Sequence, residues 1–291
     1  MHLTRHDIVV DDGTRIAVRI VGAGPPLVLL HGFPQNHRCW LAVLPALAEQ
    51  FTCVLPDLRG YGDSDAPPDD TGHTVYSKRR MALDLVAVID ALGLDRIRLV
   101  GHDRGARVAY RMALDHPGRI EKLAILEVIP TVAFWDAWSA DVAHKAYHWN
   151  FLAQPAPLPE WMIGADPAAY IDWTLQGWTL SKSLGVFAPD ALDSYRAQAR
   201  DPARVAAMCA DYRAGYHTDR AIDVADRAAG RKIDVPMVFI WARHGFPAST
   251  GDPAAIWRDW ATDVSDTPVT CGHFAMEEAP QEVTAALLGY L

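Results

Sequence analysis

Residues 101–105 read Gly101-His102-Asp103-Arg104-Gly105. They lie between an apolar run, Ile97-Arg98-Leu99-Val100, and a stretch with helical spacing, Ala106, Val108, Ala109, Met112 and Ala113. A Gly-x-nucleophile-x-Gly turn between a strand and a helix lifts its central side chain above a sheet. The two glycines allow the sharp turn. The central residue here is Asp103. A carboxylate attacking a carbonyl would give an anhydride, a poor intermediate. Attack on a saturated carbon bearing a good leaving group gives an alkyl ester that water can cleave. Asp103 therefore points to substitution at carbon, either dehalogenation or epoxide opening.

Arg104 and Arg107 fall in the first turn of the helix that follows, three residues apart and so on one face. A helix N-terminus is electropositive and disfavours a cation by about 0.3–1 kcal/mol. Two guanidinium groups there run against the local field, and positions that break a local rule are often functional. A substrate carboxylate would resolve the conflict through paired hydrogen bonds. Pairing of both arginines with structural carboxylates is the alternative.

The elements that must position these residues alternate along the chain. Ile16–Val21, Leu27–Leu30, Phe51–Leu55, Arg96–Val100, Leu123–Leu126 and Met237–Trp241 read as strands. Leu41–Glu49, Met81–Leu92 and Glu282–Tyr290 read as helices. Such alternation implies a mostly parallel central sheet flanked by helices. From about Pro130 to Ala221 the rhythm stops. That stretch reads as helical, is broken by prolines, and holds six of the 10 tryptophans. The expected organisation is a core of residues 1–129 and 222–291 with an inserted helical cap of residues 130–221.

Composition narrows the partners. A length of 291 residues accommodates one large domain plus an insertion, and 50% hydrophobic with 22% charged residues is the profile of a globular chain. A net charge of −9 argues against nucleic acid or an anionic membrane as partner, but not against an anionic small molecule in a local basic pocket. Cys39, Cys53, Cys209 and Cys271 show no metal spacing and read as reduced packing residues of a cytoplasmic protein. The N-terminus has no apolar signal core, and no run approaches the roughly 20 apolar residues of a membrane span. His144 and His148 are four apart, but no third ligand stands at suitable spacing, so no metal is expected.

Further motifs carry a resemblance. His31-Gly32-Phe33-Pro34 follows the apolar strand, Asp57-Leu58-Arg59-Gly60-Tyr61-Gly62-Asp63-Ser64 follows the next, and Gly272-His273-Phe274 lies near the C-terminus. With these the chain resembles the α/β-hydrolase superfamily over nearly its whole length, within the Asp-nucleophile branch. The fluoroacetate (haloacetate) dehalogenases are the most similar group. They share His102 through Arg107, His148-Trp149, Gln154-Pro155-Ala156-Pro157, Ile163 through Pro167, Gly177-Trp178 and Asp211 through Gly215.

The resemblance implies roles. Asp103 is the nucleophile, and His273 follows it in the chain order nucleophile, acid, histidine. No carboxylate follows the strand at Met237–Trp241 until Asp252, so Glu127, after the strand that follows the nucleophile, is expected to orient His273. The resembling dehalogenases carry aspartate there. His148, Trp149 and Tyr212 would form a halide pocket, for which the indole N–H of Trp149 is a donor without being an acid. The backbone N–H groups of Phe33 and Arg104 would hold the oxyanion, and Trp178 would line the pocket. The expected reaction converts a small haloacid and water to hydroxyacid and halide without a cofactor, in a homodimer.

Two other readings stay open. An epoxide hydrolase would use the same Asp103 and His273 and needs a proton donor for the alkoxide, for which Tyr212 with Tyr147 or Tyr170 are candidates. A catalytically silent ligand-binding protein of the same fold would leave Asp103 and His273 without a task.

Overall fold

The computed structural model describes residues 2–291. Eight strands form one sheet: β1 (Thr4–Val9), β2 (Arg15–Val21), β3 (Pro26–Leu30), β4 (Thr52–Pro56), β5 (Ile97–His102), β6 (Ile120–Leu126), β7 (Met237–Ala242) and β8 (Val264–Val269). Their order is β1-β2-β4-β3-β5-β6-β7-β8. β1 and β2 pair antiparallel, β2 pairs antiparallel with β4, and every other pairing is parallel. The central strands are apolar runs because helices cover both of their faces.

The sheet is thus the expected one, extended at both edges. β1 and β8 escape the sequence pattern because edge strands meet water. β1 is exposed along most of its length, and β8 reads Val-Ser-Asp-Thr-Pro-Val with Pro268 inside it. Proline and charge are what an edge strand tolerates and a central one does not.

The flanking helices are α1 (Leu44–Ala48), α2 (Lys78–Ala91), α3 (Asp103–Asp115), and, late in the chain, α12 (Pro253–Trp260), α13 (Ala275–Glu278) and α14 (Pro280–Tyr290). α1 is shorter than the apolar spacing suggests, because a separate 3₁₀ turn at His37–Trp40 takes up the residues before it. α2 begins three residues earlier than Met81, where the Ser77 side chain accepts the Arg80 N–H at 3.2 Å.

Between β6 and β7 the chain makes eight helices: α4 (Thr131–Asp136), α5 (Ala140–Lys145), α6 (Tyr147–Leu152), α7 (Leu158–Ala165), α8 (Pro167–Trp178), α9 (Pro189–Ala199), α10 (Pro202–Ala214) and α11 (Arg220–Ala228). A π-helical turn, Gly215–Asp219, joins α10 to α11 without leaving helical backbone. The boundary expected at Ala221 therefore falls inside continuous helix, and the insertion returns to the sheet only after Ala228. Nothing in the intervening sequence breaks the helix, since Gly215 adopts ordinary helical φ and ψ.

The insertion packs on the carboxyl ends of the strands. Trp149 and Tyr212 share one apolar cluster with Phe33 and α3, and Leu175 and Tyr195 share another with Phe274 and α13. In an open parallel sheet that edge is where ligands bind. Gly101 of β5 pairs with Leu30 of β3 and Ile125 of β6, and Leu126 pairs with Ile240 of β7. The loops leaving β3, β5, β6 and β7 therefore meet at one level.

Candidate active site

Asp103 opens α3 directly after β5 and holds φ of +48°. A non-glycine residue there is strained. The turn is possible because Gly105 sits against the His31 carbonyl, with no room for a Cβ. Asp103 Oδ1 accepts the Phe33 N–H at 2.9 Å, which ties the elbow to the loop after β3. Burial pushes the carboxyl up, but His273, His102, Arg104 and the Phe33 N–H together bring it below the usual carboxylate range. Asp103 is held ionised.

His273 stands between two carboxylates. Its Nε2 is 3.8 Å from Asp103 Oδ2 and its Nδ1 is 3.7 Å from Glu127 Oε2. Burial lowers its basicity, and Glu127 and Asp103 outweigh that, so its pKa lies above the ordinary histidine value. Glu127 also has positive φ, +63°, and its carboxylate accepts the Ala242 N–H at the end of β7. Burial pushes Glu127 up, with His273 and that N–H pulling against it. Gly245 passes so close to Glu127 Oε2 that a side chain there would overlap it. Asp252 is elsewhere: it caps α12 by accepting the Ala255 N–H at 2.9 Å.

His102, one residue before the elbow, has a part that its sequence position did not disclose. It is fully buried, and its Nε2–H donates to the His273 carbonyl at 2.8 Å. Its ring lies 4.8 Å from that of His273. Burial depresses its pKa to about 3, so it is neutral, with the proton on Nε2. The His273 N–H in turn donates to the Trp178 carbonyl at 3.0 Å, so His273 is fixed from the sheet below and from α8 above. The sequence signal was only the placement of His102 beside the nucleophile.

The two arginines part company. Arg104 turns toward α10: its Nε lies 3.1 Å from Asp211 Oδ2, and its Nη2 reaches Asp211 Oδ1 at 2.5 Å and the Asp211 carbonyl at 2.7 Å. Lys78 pairs with the same carboxylate, and Tyr61 donates to it at 2.8 Å. Only Nη1 of Arg104 is buried without a hydrogen bond. Arg107 meets no carboxylate among the described residues. Its Nη1 donates to the Ile129 carbonyl at 3.1 Å and to Thr131 Oγ1 at 2.9 Å, and its Nε is buried and unpaired. It is 2% exposed, and burial lowers its pKa. Of the two arginines, only Arg107 lines the cavity and lacks a carboxylate partner, whereas the Arg104 side chain is committed to Asp211. Sequence spacing fixes the shared face of the helix but not the carboxylate brought to one end of it by α10.

A cavity of about 420 Å³ lies over these residues, with Asp103, Arg107, Glu127, His148, Trp149, Trp178 and His273 in its wall. Trp149 stacks on Phe134 with ring centroids 3.8 Å apart, and the Arg107 guanidinium lies 4.5 Å from its ring. His148 is depressed to about 3 by burial and is neutral, with Nδ1 buried and unpaired. Tyr212 is not in the wall. It sits behind His148 and Trp149, edge-on to both, with the Arg104 guanidinium 4.3 Å from its ring. Tyr147 and Tyr170 are also outside the wall. His144 lines the outer part of the cavity, and no group of three metal-ligating side chains occurs among the described residues. No helix among them is long and apolar enough to cross a membrane.

The comparisons agree with this arrangement at the level of the family. Residues 25–280 match the alpha/beta hydrolase fold. A fluoroacetate dehalogenase from Burkholderia sp is 41% identical over 93% of this chain and 88% of its own length. A soluble epoxide hydrolase from Corynebacterium sp. (strain C12) is 34% identical over 99% of this chain and 97% of its own. Among solved structures, a chain from Nostoc sp PCC 7120 superimposes with a TM-score of 0.95 at 42% identity, covering 99% of this chain and 98% of that one. With a mostly parallel sheet, an acid at the elbow and a histidine facing it, the chain belongs to the alpha/beta hydrolase family.

Proposed function

We propose that the protein hydrolyses short 2-haloacids to 2-hydroxyacids and halide through an ester on Asp103, in a site covered by the helical cap. The observation that carries this reading is Arg107: a buried guanidinium in the cavity wall with no carboxylate of the protein against it. A buried cation without a counter-charge is costly, and a substrate carboxylate would supply one in a planar, paired contact. Similarity to a fluoroacetate dehalogenase supports the same reading.

Arg107 fixes the acid, and Asp103 attacks the carbon that bears the halogen from the side opposite the halide. The carbon–halogen bond breaks with its electron pair on the halide, beside the Trp149 indole N–H and the neutral His148 ring, with Tyr212 behind them. His273 then takes a proton from water, and the hydroxide attacks the ester carbonyl of Asp103. Glu127 faces Nδ1 and so favours the tautomer whose Nε2 lone pair is free to do this. The Phe33 N–H, already directed at Asp103 Oδ1, would hold the oxyanion together with the Arg104 N–H. Collapse releases the hydroxyacid and restores Asp103.

Epoxide hydrolysis is the second reading, favoured by the similarity to epoxide hydrolases. It needs a hydroxyl donor at the alkoxide. Tyr147, Tyr170 and Tyr212 all lie outside the cavity wall, and Arg107 would have no partner in that reaction.

The test is a single turnover with bromoacetate or fluoroacetate in heavy-oxygen water. The label should enter Asp103 before it reaches product, and Asp103→Asn should bind substrate without turnover. Label found in glycolate and never on the protein would refute the covalent route. Diol from styrene oxide with no halide from any haloacid would move the assignment to epoxides.

A further inference from the structure

The cavity is far larger than a haloacetate requires. Its volume of about 420 Å³ falls within the roughly 300–1,000 Å³ of sites that take drug-sized ligands. Beyond the reacting residues its wall turns apolar, with Val128, Phe134 and Phe246, and at the outer end it turns basic. Lys145, the last residue of α5, and Lys182, in the loop after α8, both line it and are both exposed. Lys145 has no ion pair or hydrogen bond among the described residues. Lys182 Nζ donates once, to the Gly177 carbonyl at 2.5 Å, leaving two N–H groups.

No acid offsets them. The only carboxylates in the wall are Asp103 and Glu127, at the inner end. The cavity wall therefore carries a buried cation, Arg107, and two exposed ones, Lys145 and Lys182, besides the apolar Val128, Phe134 and Phe246.

We propose that the preferred substrate is a 2-haloalkanedioate: a haloacid whose chain runs along Val128, Phe134 and Phe246 and ends in a second carboxylate held by Lys145 and Lys182. The proposal rests on the haloacid reading above and names its substrate class.

The test is binding, so that it does not depend on turnover. In Asp103→Asn protein, titration calorimetry with butyrate, glutarate and adipate compares a monoanion with dianions that carry no halogen. The better-fitting dicarboxylate should bind roughly fivefold or more tightly than butyrate, the upper end for partly exposed ion pairs. The advantage should shrink with added salt. It should vanish in the background carrying Lys145→Gln and Lys182→Asn, asparagine being chosen because Lys182 holds φ of +53°. Dicarboxylates no tighter than butyrate would overturn the proposal and leave the haloacid reading standing. Equal weakening of both classes by the lysine changes would also overturn it, reducing the lysines to long-range steering. Failure of every carboxylate to bind would instead sink the haloacid reading, and this proposal with it.

Discussion

Arg104 and Asp211 form a buried, two-pronged ion pair that joins the helix after the nucleophile to α10 of the cap, with Lys78 closing on the same carboxylate. Burial alone would raise Asp211, and the two cations hold it well below the usual carboxylate range. The pair decides how the two cations are matched, since it occupies Arg104 and leaves Arg107 without a carboxylate partner.

Asp211→Asn leaves Lys78 and Arg104 buried with only Asp219, 3.7 Å from Lys78 Nζ, for compensation. Breaking a buried pair from one side costs about 3–5 kcal/mol. The urea midpoint should fall accordingly, and turnover should fall in protein still folded. A midpoint within the range of a surface substitution would show that the network is not what holds α10 to the core.

Arg107→Met should cost roughly 1.5–3 kcal/mol of transition-state binding for a haloacid, the worth of hydrogen bonds to a charged group. Arg107→Lys keeps the charge, loses the planar fork and should still cost substantially. If the substrate carboxylate fixes the carbon under attack, kcat should fall together with kcat/KM. A haloacetamide should be a poor substrate and insensitive to the change. Equal losses on acid and amide would make Arg107 structural.

In the proposed reaction, hydrolysis of the ester requires neutral His273. Its pKa lies above the ordinary value of about 6.5, partly because Asp103 is charged beside it. The rate of this step should therefore rise with pH and reach a plateau. Esterification removes the Asp103 charge, so the limb measured on the ester should lie below the His273 titration in free enzyme followed by NMR. His273→Asn should accumulate ester, seen as added carboxymethyl mass after bromoacetate. A pH-independent hydrolysis step would exclude His273 as the base.

Glu277 gives a prediction on stability. It accepts from Tyr195 of α9 at 3.1 Å and from Gln35 beside the nucleophile loop, and burial raises its pKa to about 8. An acid raised in the folded state binds a proton that the unfolded chain has released, so stability falls as pH climbs from about 4.5 to about 8. Glu277→Gln should remove that fall, gaining on the order of a few kcal/mol relative to wild type at pH 8 over pH 5. Identical slopes in the two proteins would place the ionisation elsewhere.

The sequence by itself determined the sheet's centre and placed an acid at its carboxyl edge. β3, β5, β6 and β7 are apolar runs that only a doubly covered strand needs, and a glycine-bounded Asp103 between strand and helix has few other uses. Asp103 and Glu127 each follow an apolar strand, and parallel strands deliver their next residues to one edge, whereas His273 could be named only through the resemblance carried by Gly272-His273-Phe274. The edge strands β1 and β8 left no pattern, being polar and wet. Tertiary structure alone decided the rest. Helical spacing put Arg104 and Arg107 on one face but could not show that Asp211, 107 residues away in sequence, would occupy the first and leave the second. Nor could it show that His102 would turn to hold the His273 carbonyl, or that Lys145 at the end of α5 and Lys182 after α8 would line one cavity. Those are contacts between distant segments, set by how the insertion lies on the sheet, and no local periodicity encodes them.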